Sequence, residues 1–184
     1  MERFGNTPHE LRLLELAHRP HGVIHDGQLT RRGLTRTAID QRVGAGRLSR
    51  LHDGVFAWGH SALTREGRWL AALWACGEGA VLSHTTAAAF HGMAKEAGAD
   101  VHVSTTKSIH SRPGIVVHRL RRLDSADVQR RGLLRATRIA RTVVDLADVS
   151  PWEEVRRRRH ASLVLTLRAA SRSAGRLDAS DGAS

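Results

Sequence analysis

The chain has 184 residues, with 29 Lys and Arg against 18 Asp and Glu, and its formal net charge is +11 at pH 7. Its single cysteine, Cys76, excludes an internal disulfide and favours a reducing compartment. No apolar run approaches the roughly 20 residues of a membrane span, and residues 1–10 lack the apolar region of a signal peptide. These features predict a cytoplasmic protein with a polyanionic partner. Because a GC-rich coding sequence also favours arginine, the positions of the charges matter more than their sum.

The first third of the chain predicts a winged helix-turn-helix domain over residues 7–59. Three capping residues, each followed by apolar residues at helical spacing, indicate helix starts: Thr7, Asp26 and Thr35. Between the first two helices, Val23 and Ile24 indicate a short strand. The third helix is expected to run to about Ala45, with Gly46 as its stop.

A hairpin is predicted directly after the third helix. Asp53 and Gly54 form the strongest two-residue signal for a type I′ turn. In an uninterrupted register around that turn, Leu51 lies opposite Phe56, and Arg50 projects from the other side. This hairpin would be the wing of the domain.

The third helix is the predicted DNA-reading element. Ile39 and Val43 are four residues apart and should face the core, so the polar residues point outward. Glutamine pairs with adenine edges and arginine with guanine, whereas Asp40 repels phosphate but can accept a hydrogen bond from cytosine. The predicted DNA contacts on the helix and the wing are Arg36, Thr37, Gln41, Arg42, Arg47 and Arg50. Winged helices also serve as protein–protein modules, and that alternative stays open.

Residues 60–149 predict a second, small domain, so that the whole chain is expected to be an α+β protein. Thr64 opens a helix whose Trp69 and Trp74 are expected to pack on a sheet. A second helix covers the alanine-rich segment, and alternating residues predict strands at 100–106, 114–120 and 133–136. Thr137 is expected to cap a final helix. Residues 150–184 are rich in Arg, Ala and Ser and predict a disordered tail.

The stretch from Arg112 to Arg141 contains nine arginines, which is denser than the winged helix itself. Three of them follow or end a predicted strand and form a candidate second basic patch: Arg119, Arg121 and Arg122. Such a patch would extend the footprint on DNA phosphates. A solvated surface without a ligand is an equally good interpretation, and RNA binding is a weaker one.

The chain offers little that indicates catalysis or metal binding. His84 and His91 are seven residues apart and can share a helical face, but no cysteine or carboxylate joins them at a metal-ligand spacing. Ser83 and His84 are adjacent, and adjacent side chains rarely point together. Asp145 and its neighbour Asp148 lack a third acidic or lysine partner. We therefore predict no enzyme, no metal and no cofactor.

Four segments together resemble the AbiEi family of antitoxins and transcriptional regulators. They are "GVIHDGQLTRRGLTRTAIDQRVGAGRLSRLHDGVFAWGH", "LTREGRWLAALWACGEGAVLSHTTAAAFHG", "GIVVHRLRRLDSADV" and "TRIARTVVDLADV", and the similarity covers about residues 9–149. The resemblance implies an autorepressor that binds double-stranded DNA upstream of its own gene. It also implies that the second domain counters a nucleotidyltransferase-like toxin without forming a stable complex, the type IV arrangement.

Many chains similar to this family continue into a nuclease-like domain of the very-short-patch-repair type. That domain needs spaced acidic residues together with glutamine or lysine on core strands, and nothing after Pro151 supplies them. This agrees with the prediction of no enzyme. The alternative hypothesis is a remnant of a nuclease-linked protein that retains only a DNA-binding or partner-binding module.

Overall fold

The structure is a computed structural model, and it describes residues 20–59, 61–95 and 98–147. These residues form a small three-stranded sheet and a larger five-stranded sheet, with helices packed on both. The predicted α+β class is thereby confirmed. The helix expected to begin at Thr7 and the tail expected at residues 150–184 lie outside the described residues.

The first sheet contains strands β1 (Val23–His25), β2 (Leu48–His52) and β3 (Val55–Trp58), in the antiparallel order β1-β3-β2. Helices α1 (Asp26–Thr30) and α2 (Arg36–Gly44) lie between β1 and β2 in the chain. Two short helices followed by a hairpin are the helix-turn-helix and wing of a winged helix domain. A turn of a 3-10 helix precedes β1.

Local side-chain hydrogen bonds determine where the helices begin. Thr35 caps α2 as predicted, because its hydroxyl accepts a hydrogen bond from the backbone. The sequence predicts Asp26 as the cap of α1, and this prediction is wrong. His25 is the cap: its Nδ1 accepts from the N–H of Gly27 at 3.1 Å, and the Gln28 side chain accepts from the His25 N–H at 2.9 Å. This reciprocal arrangement is a capping box in which histidine replaces the usual serine or threonine.

The wing turns at the predicted position, where Gly54 adopts a left-handed φ of 68°, but the register of its strands differs from the prediction. Arg50, and not Leu51, lies opposite Phe56. The register shifts between Arg50 and His52, which places an additional residue in β2. Such a β-bulge reverses the faces of the side chains that precede it. Arg50 therefore lies on the same face as Phe56, toward α2, and Leu51 packs against the larger core.

The second sheet contains strands β4 (Val81–Leu82), β5 (Val101–Thr105), β6 (Ile115–Arg119), β7 (Val128–Arg131) and β8 (Leu134–Thr137). Their order in the sheet is β6-β5-β4-β8-β7. The pairs β5–β6 and β4–β8 are parallel, and the pairs β4–β5 and β7–β8 are antiparallel. Helices α3 (Arg65–Cys76) and α4 (His84–Phe90) pack on this sheet, and helix α5 (Ile139–Ala147) packs on α4.

The three strands expected in this region are present as β5, β6 and β8. β7 was not expected, because its sequence, Val-Gln-Arg-Arg, has no apolar alternation. It is an edge strand that forms a hairpin with β8, so its side chains face solvent on most sides. Thr137 ends β8, and its hydroxyl bonds to the hydroxyl of Thr142 in α5 at 2.8 Å.

The small sheet has apolar residues on both faces. Ile24 and Phe56 pack with α1 and α2, whereas Val23 and Val55 join the large core formed around α3 and the second sheet. Trp69 of α3 is buried in this large core, as predicted. The two predicted domains, divided at about residue 60, thus share a hydrophobic core, and the position of the boundary stays a prediction.

None of the described helices has the length and apolar character needed to cross a membrane.

Gly67 shows how closely α3 approaches the chain before β1. A Cβ atom at this position would lie 2.9 Å from the backbone oxygen of His21. Alanine usually stabilises a helix by about 1 kcal/mol relative to glycine, but this clash involves backbone that cannot yield easily. We expect Gly67→Ala to lower the free energy of unfolding by about 1–2 kcal/mol, measured by urea denaturation.

Gly44 provides the matched control for this substitution. It is also helical, and a Cβ atom there would have nothing within 4 Å. Gly44→Ala should raise the free energy of unfolding by up to about 1 kcal/mol. If both substitutions were stabilising, the close approach of α3 to His21 would be incorrect.

Candidate nucleic-acid interface

Helix α2 presents a polar surface to solvent. Ile39 is buried beneath the helix and fixes its rotation, while the N-cap Thr35 fixes its start. Arg36, Thr37 and Gln41 are exposed on the outer side, as the sequence predicted. These three residues supply a guanidinium, a hydroxyl and an amide, which are the groups that read base edges in a major groove.

Arg42 is only half-buried, and its guanidinium is already hydrogen-bonded. Its Nη1 donates to the backbone oxygen of Ala38, one turn earlier on α2, at 3.0 Å. Arg47 is exposed in the short loop between α2 and β2. Both side chains therefore lie at the C-terminal end of α2. A neutral carbonyl is a weaker partner for a guanidinium than a phosphate, so the Arg42 contact is one that DNA can displace.

Arg50 differs most from its predicted role. Its Nη2 donates to Asp40 Oδ1 at 2.9 Å, its Nη1 lies 4.0 Å from Asp53 Oδ1, and its guanidinium carbon stands 5.1 Å from the centre of the Phe56 ring. The bulge in β2 causes this, because it turns Arg50 toward α2. Arg50 is thus an ion-pair partner of Asp40, and its predicted contact with DNA stays a prediction.

This ion pair changes the expected effect of Asp40 on DNA binding. An aspartate in the middle of a DNA-reading face would repel phosphate, and the sequence left its effect undecided. The carboxylate is exposed, but the adjacent guanidinium of Arg50 compensates its charge. The sequence could not reveal this pairing, because the pairing depends on the β-bulge between Arg50 and His52. No residue at this place is typical of a bulge.

The candidate second basic patch is exposed throughout. Arg119 ends β6, and Arg121 and Arg122 follow it. Arg122 Nε donates to Asp124 Oδ1 at 2.7 Å, with both side chains in solvent. An exposed pair of this kind contributes only about 0.2–1 kcal/mol, so the pair does not prevent Arg122 from contacting a phosphate.

Other arginines of the same stretch have structural partners. Arg131 covers the ring of Phe90, with its guanidinium carbon 4.4 Å from the ring centre. Arg141 Nε donates to the buried carboxylate of Asp145 at 2.7 Å, and Asp127 lies 4.0 Å away on its other side. The arginine density of the sequence therefore overstates the basic surface.

Three histidines from different elements meet on one face of the second sheet. They are His84 at the start of α4, His102 on β5 and His118 on β6, and one ring nitrogen of each lies within 4.8 Å of the others. His102 Nδ1 is 2.9 Å from His118 Nε2, and the rings of His84 and His118 stack with centroids 3.6 Å apart. We call this group the histidine triad.

The spacing of histidines in the sequence pointed to a different pair, His84 and His91. His91 does not join His84; its Nε2 is 2.7 Å from the backbone oxygen of Thr137. The parallel pairing of β5 with β6 instead brings His102 and His118 to one face of the sheet. No local pattern reports this pairing, although the alternation of both strands was visible in the sequence.

The surroundings keep two imidazoles of the triad, those of His84 and His102, neutral. Burial, followed by the charges of His118, His102 and Arg141, lowers the pKa of His84 from 6.5 to about 3. Burial also lowers the pKa of His102, against the opposing effect of Asp100. Both rings are therefore uncharged at pH 7.

The expectation that Ser83 and His84 point apart is wrong. Ser83 Oγ lies 2.9 Å from His84 Nδ1. Both side chains are buried, so this contact orients the imidazole inside the protein rather than presenting a nucleophile to solvent. The Asp145 carboxylate is held by Arg141, and Asp148 lies outside the described residues.

The described part of residues 20–59 thus has the architecture of a winged helix-turn-helix, continuous with an α+β unit. No family model matches the chain, and no curated protein matches it. Among solved structures, the RV2827C protein from Mycobacterium tuberculosis is similar, with a TM-score of 0.52 and 20% sequence identity. The match covers 79% of this chain and 64% of that protein, so the chain spans less than two thirds of its length. At this identity the similarity shows the fold alone.

Proposed function

We propose that the protein is a DNA-binding transcriptional regulator that places α2 in the major groove. The observation that carries this proposal is the ion pair between Asp40 and Arg50, at 2.9 Å. With that carboxylate compensated, the outer surface of α2 offers hydrogen-bonding groups without an opposing charge. Arg36, Thr37 and Gln41 would read base edges, while other arginines would hold phosphates.

The test is binding of the full chain to DNA from upstream of its own gene, measured by fluorescence anisotropy. We expect tighter binding than to a shuffled duplex of equal length, by at least about 1,000-fold, and a steep decrease with salt. Equal affinity for both duplexes would favour the alternative of a non-specific remnant. No affinity for either duplex would favour a partner-binding module.

Arg50 provides a test of the electrostatic argument. In this proposal it compensates Asp40 and does not contact DNA itself. Arg50→Ala should weaken binding about fivefold, which corresponds to about 1 kcal/mol, because the Asp40 carboxylate then faces the phosphates alone. Adding Asp40→Asn to Arg50→Ala should restore the affinity. If the double variant binds as weakly as Arg50→Ala, Arg50 contacts the DNA directly.

The second basic patch would extend the contact along the phosphate backbone. Replacing Arg119 and Arg121 together by alanine should lower the slope of log affinity against log salt by about 2, without changing the preference for the upstream sequence. An unchanged slope would mean that this surface is merely solvated.

The antitoxin part of the proposal is supported by the resemblance to the AbiEi family. We propose that residues 60–149 counter a nucleotidyltransferase-like toxin without forming a stable complex with it. The protein would act in the cytoplasm, where its DNA lies. Co-expression with a nucleotidyltransferase-like gene adjacent to its own should restore growth, and Arg36→Ala should retain this rescue. Failure of the wild-type chain to rescue growth would remove the antitoxin role and leave the DNA-binding role standing.

A further inference from the structure

We propose that the histidine triad is a binding site for a divalent transition-metal ion of the zinc type. The site lies on the second sheet, away from α2, and is independent of the proposed DNA binding. Three imidazoles from three separate elements converge there: one from α4, one from β5 and one from β6. Imidazole donors select zinc, cobalt, nickel or copper over magnesium and calcium.

The distances are close to those that coordination needs. In a tetrahedral site with metal–nitrogen bonds of about 2.0–2.1 Å, ligand nitrogens lie roughly 3.3 Å apart. The pair His102 Nδ1 and His118 Nε2 is at 2.9 Å, and all three nitrogens fall within 4.8 Å. The rings of His84 and His118 are stacked and nearly parallel, with an angle of 18° between their planes, so their lone pairs do not converge in this arrangement. Binding of the ion would require one of these two rings to turn about its side-chain bonds. The ion would replace the hydrogen bond that now joins His102 and His118.

The backbone holds the triad in place. Ser104 of β5 is paired with His118 of β6 in the parallel register, and His102 lies two residues before Ser104 on β5. The side chains of His102, Ser104 and His118 therefore share one face of the sheet. The N–H of His102 donates to Thr86 Oγ1 at 2.9 Å, which ties α4 to β5. His84 has a left-handed φ of 52°, a conformation that costs a non-glycine residue about 1–2 kcal/mol. Strain of this kind in a buried residue is typical of functional sites.

Ser104 supplies a second indication that the site takes a ligand. Its hydroxyl is completely buried and has no hydrogen-bond partner among the residues that the structure describes. A buried hydroxyl left unpaired is costly. Three imidazoles leave the fourth position of a tetrahedral ion to a water molecule, as in zinc sites with three protein ligands. Such a water is a suitable partner for the Ser104 hydroxyl.

The charges around the triad are compatible with a cation. Arg141 is the nearby positive group, but its guanidinium is engaged by Asp145 at 2.7 Å and Asp127 at 4.0 Å. The negative charge of the Asp100 carboxylate raises the pKa of His102 and so favours a positive charge near this ring. A bound divalent ion would therefore meet neutral imidazoles at His84 and His102 and an arginine whose charge is compensated by two carboxylates.

The test is a titration of the full, untagged chain with Co²⁺ after treatment with a chelator. We expect one equivalent to bind with the strong visible absorption of tetrahedral cobalt, and Zn²⁺ to displace it. Zn²⁺ should also raise the melting temperature, since the ion binds only the folded triad. Absence of a stoichiometric site in the wild-type chain, or a weak octahedral spectrum only, would overturn the proposal.

Variants locate the site. Loss of a residue that only supports a metal ligand typically lowers metal affinity ~10–100-fold. Because His102→Asn and His118→Gln each remove a ligand itself, each should lower the Co²⁺ affinity by at least that factor. His110→Gln is the matched control, because His110 is exposed in the loop between β5 and β6. Near-ultraviolet circular dichroism of the tryptophans reports whether each variant is folded. Equal cobalt affinity in folded His102→Asn and in His110→Gln would assign the binding to other histidines and refute the triad.

Discussion

Replacing Arg36 and Arg42 together by alanine is expected to weaken binding to the upstream DNA at least about 100-fold. Arg36 is exposed on the outer side of α2, and Arg42 lies near the end of the same helix, where its guanidinium donates to the neutral carbonyl of Ala38. An arginine contact to a base edge contributes about 1–3 kcal/mol, and a phosphate contact adds a salt-dependent part. Anisotropy titrations at two salt concentrations would measure both effects.

The control must remove two positive charges from a part of the protein outside α2 and the wing. Lys95 and Lys107 are exposed and lie outside α2 and the wing. The double variant Lys95→Ala/Lys107→Ala lowers the net charge equally, and we expect it to retain nearly full affinity at physiological salt, where exposed charges beyond about 8 Å are largely screened. If the two double variants lose affinity equally, binding follows net charge, and α2 is not the reading surface.

Arg141→Met should destabilise the protein by about 3 kcal/mol. The Asp145 carboxylate on α5 is only 3% exposed, and Arg141 Nε donates to it at 2.7 Å. Removing the guanidinium leaves a charge buried with its principal cation missing, which typically costs about 3–5 kcal/mol. The lower end applies because Arg141 itself is 26% exposed, so water can partly replace it. Chemical denaturation followed by tryptophan fluorescence would measure the loss.

The double variant Arg141→Met/Asp145→Leu distinguishes a buried charge from lost packing. With the carboxylate also removed, most of the stability should return, since an apolar pair of similar volume often replaces a buried ion pair without loss. Equal destabilisation of the single and double variants would show that Arg141 acts through other contacts, such as its approach to Asp127 at 4.0 Å.

Many elements of the fold could be predicted because their signals are local. Thr35 and Thr64 accept hydrogen bonds from the first turns of their helices, and Gly54 permits the left-handed turn of the wing. The alternation of β5 reports a strand with one face in the core. Each signal involves residues a few positions apart, so that no knowledge of the remaining chain is needed.

The errors arise where a distant contact competes with a local rule. His25 displaced Asp26 as the helix cap, because its ring meets the first turn of α1 and also contacts Trp74 of α3 edge to face, with ring centroids 6.1 Å apart. The bulge near Arg50 broke the simple hairpin register. β7 is held by its pairing with β8, although its own residues carry no strand pattern.

The sequence by itself determined the α+β class, most helices and strands, and the outward polar surface of α2 with Arg36, Thr37 and Gln41. Only the tertiary structure decided that Arg50 compensates Asp40, and that His84, His102 and His118 meet in one place. The physical reason is the same in both cases. Helical and strand periodicity fixes which way a side chain points from its own element, whereas strand register and sheet order decide which other side chain it meets.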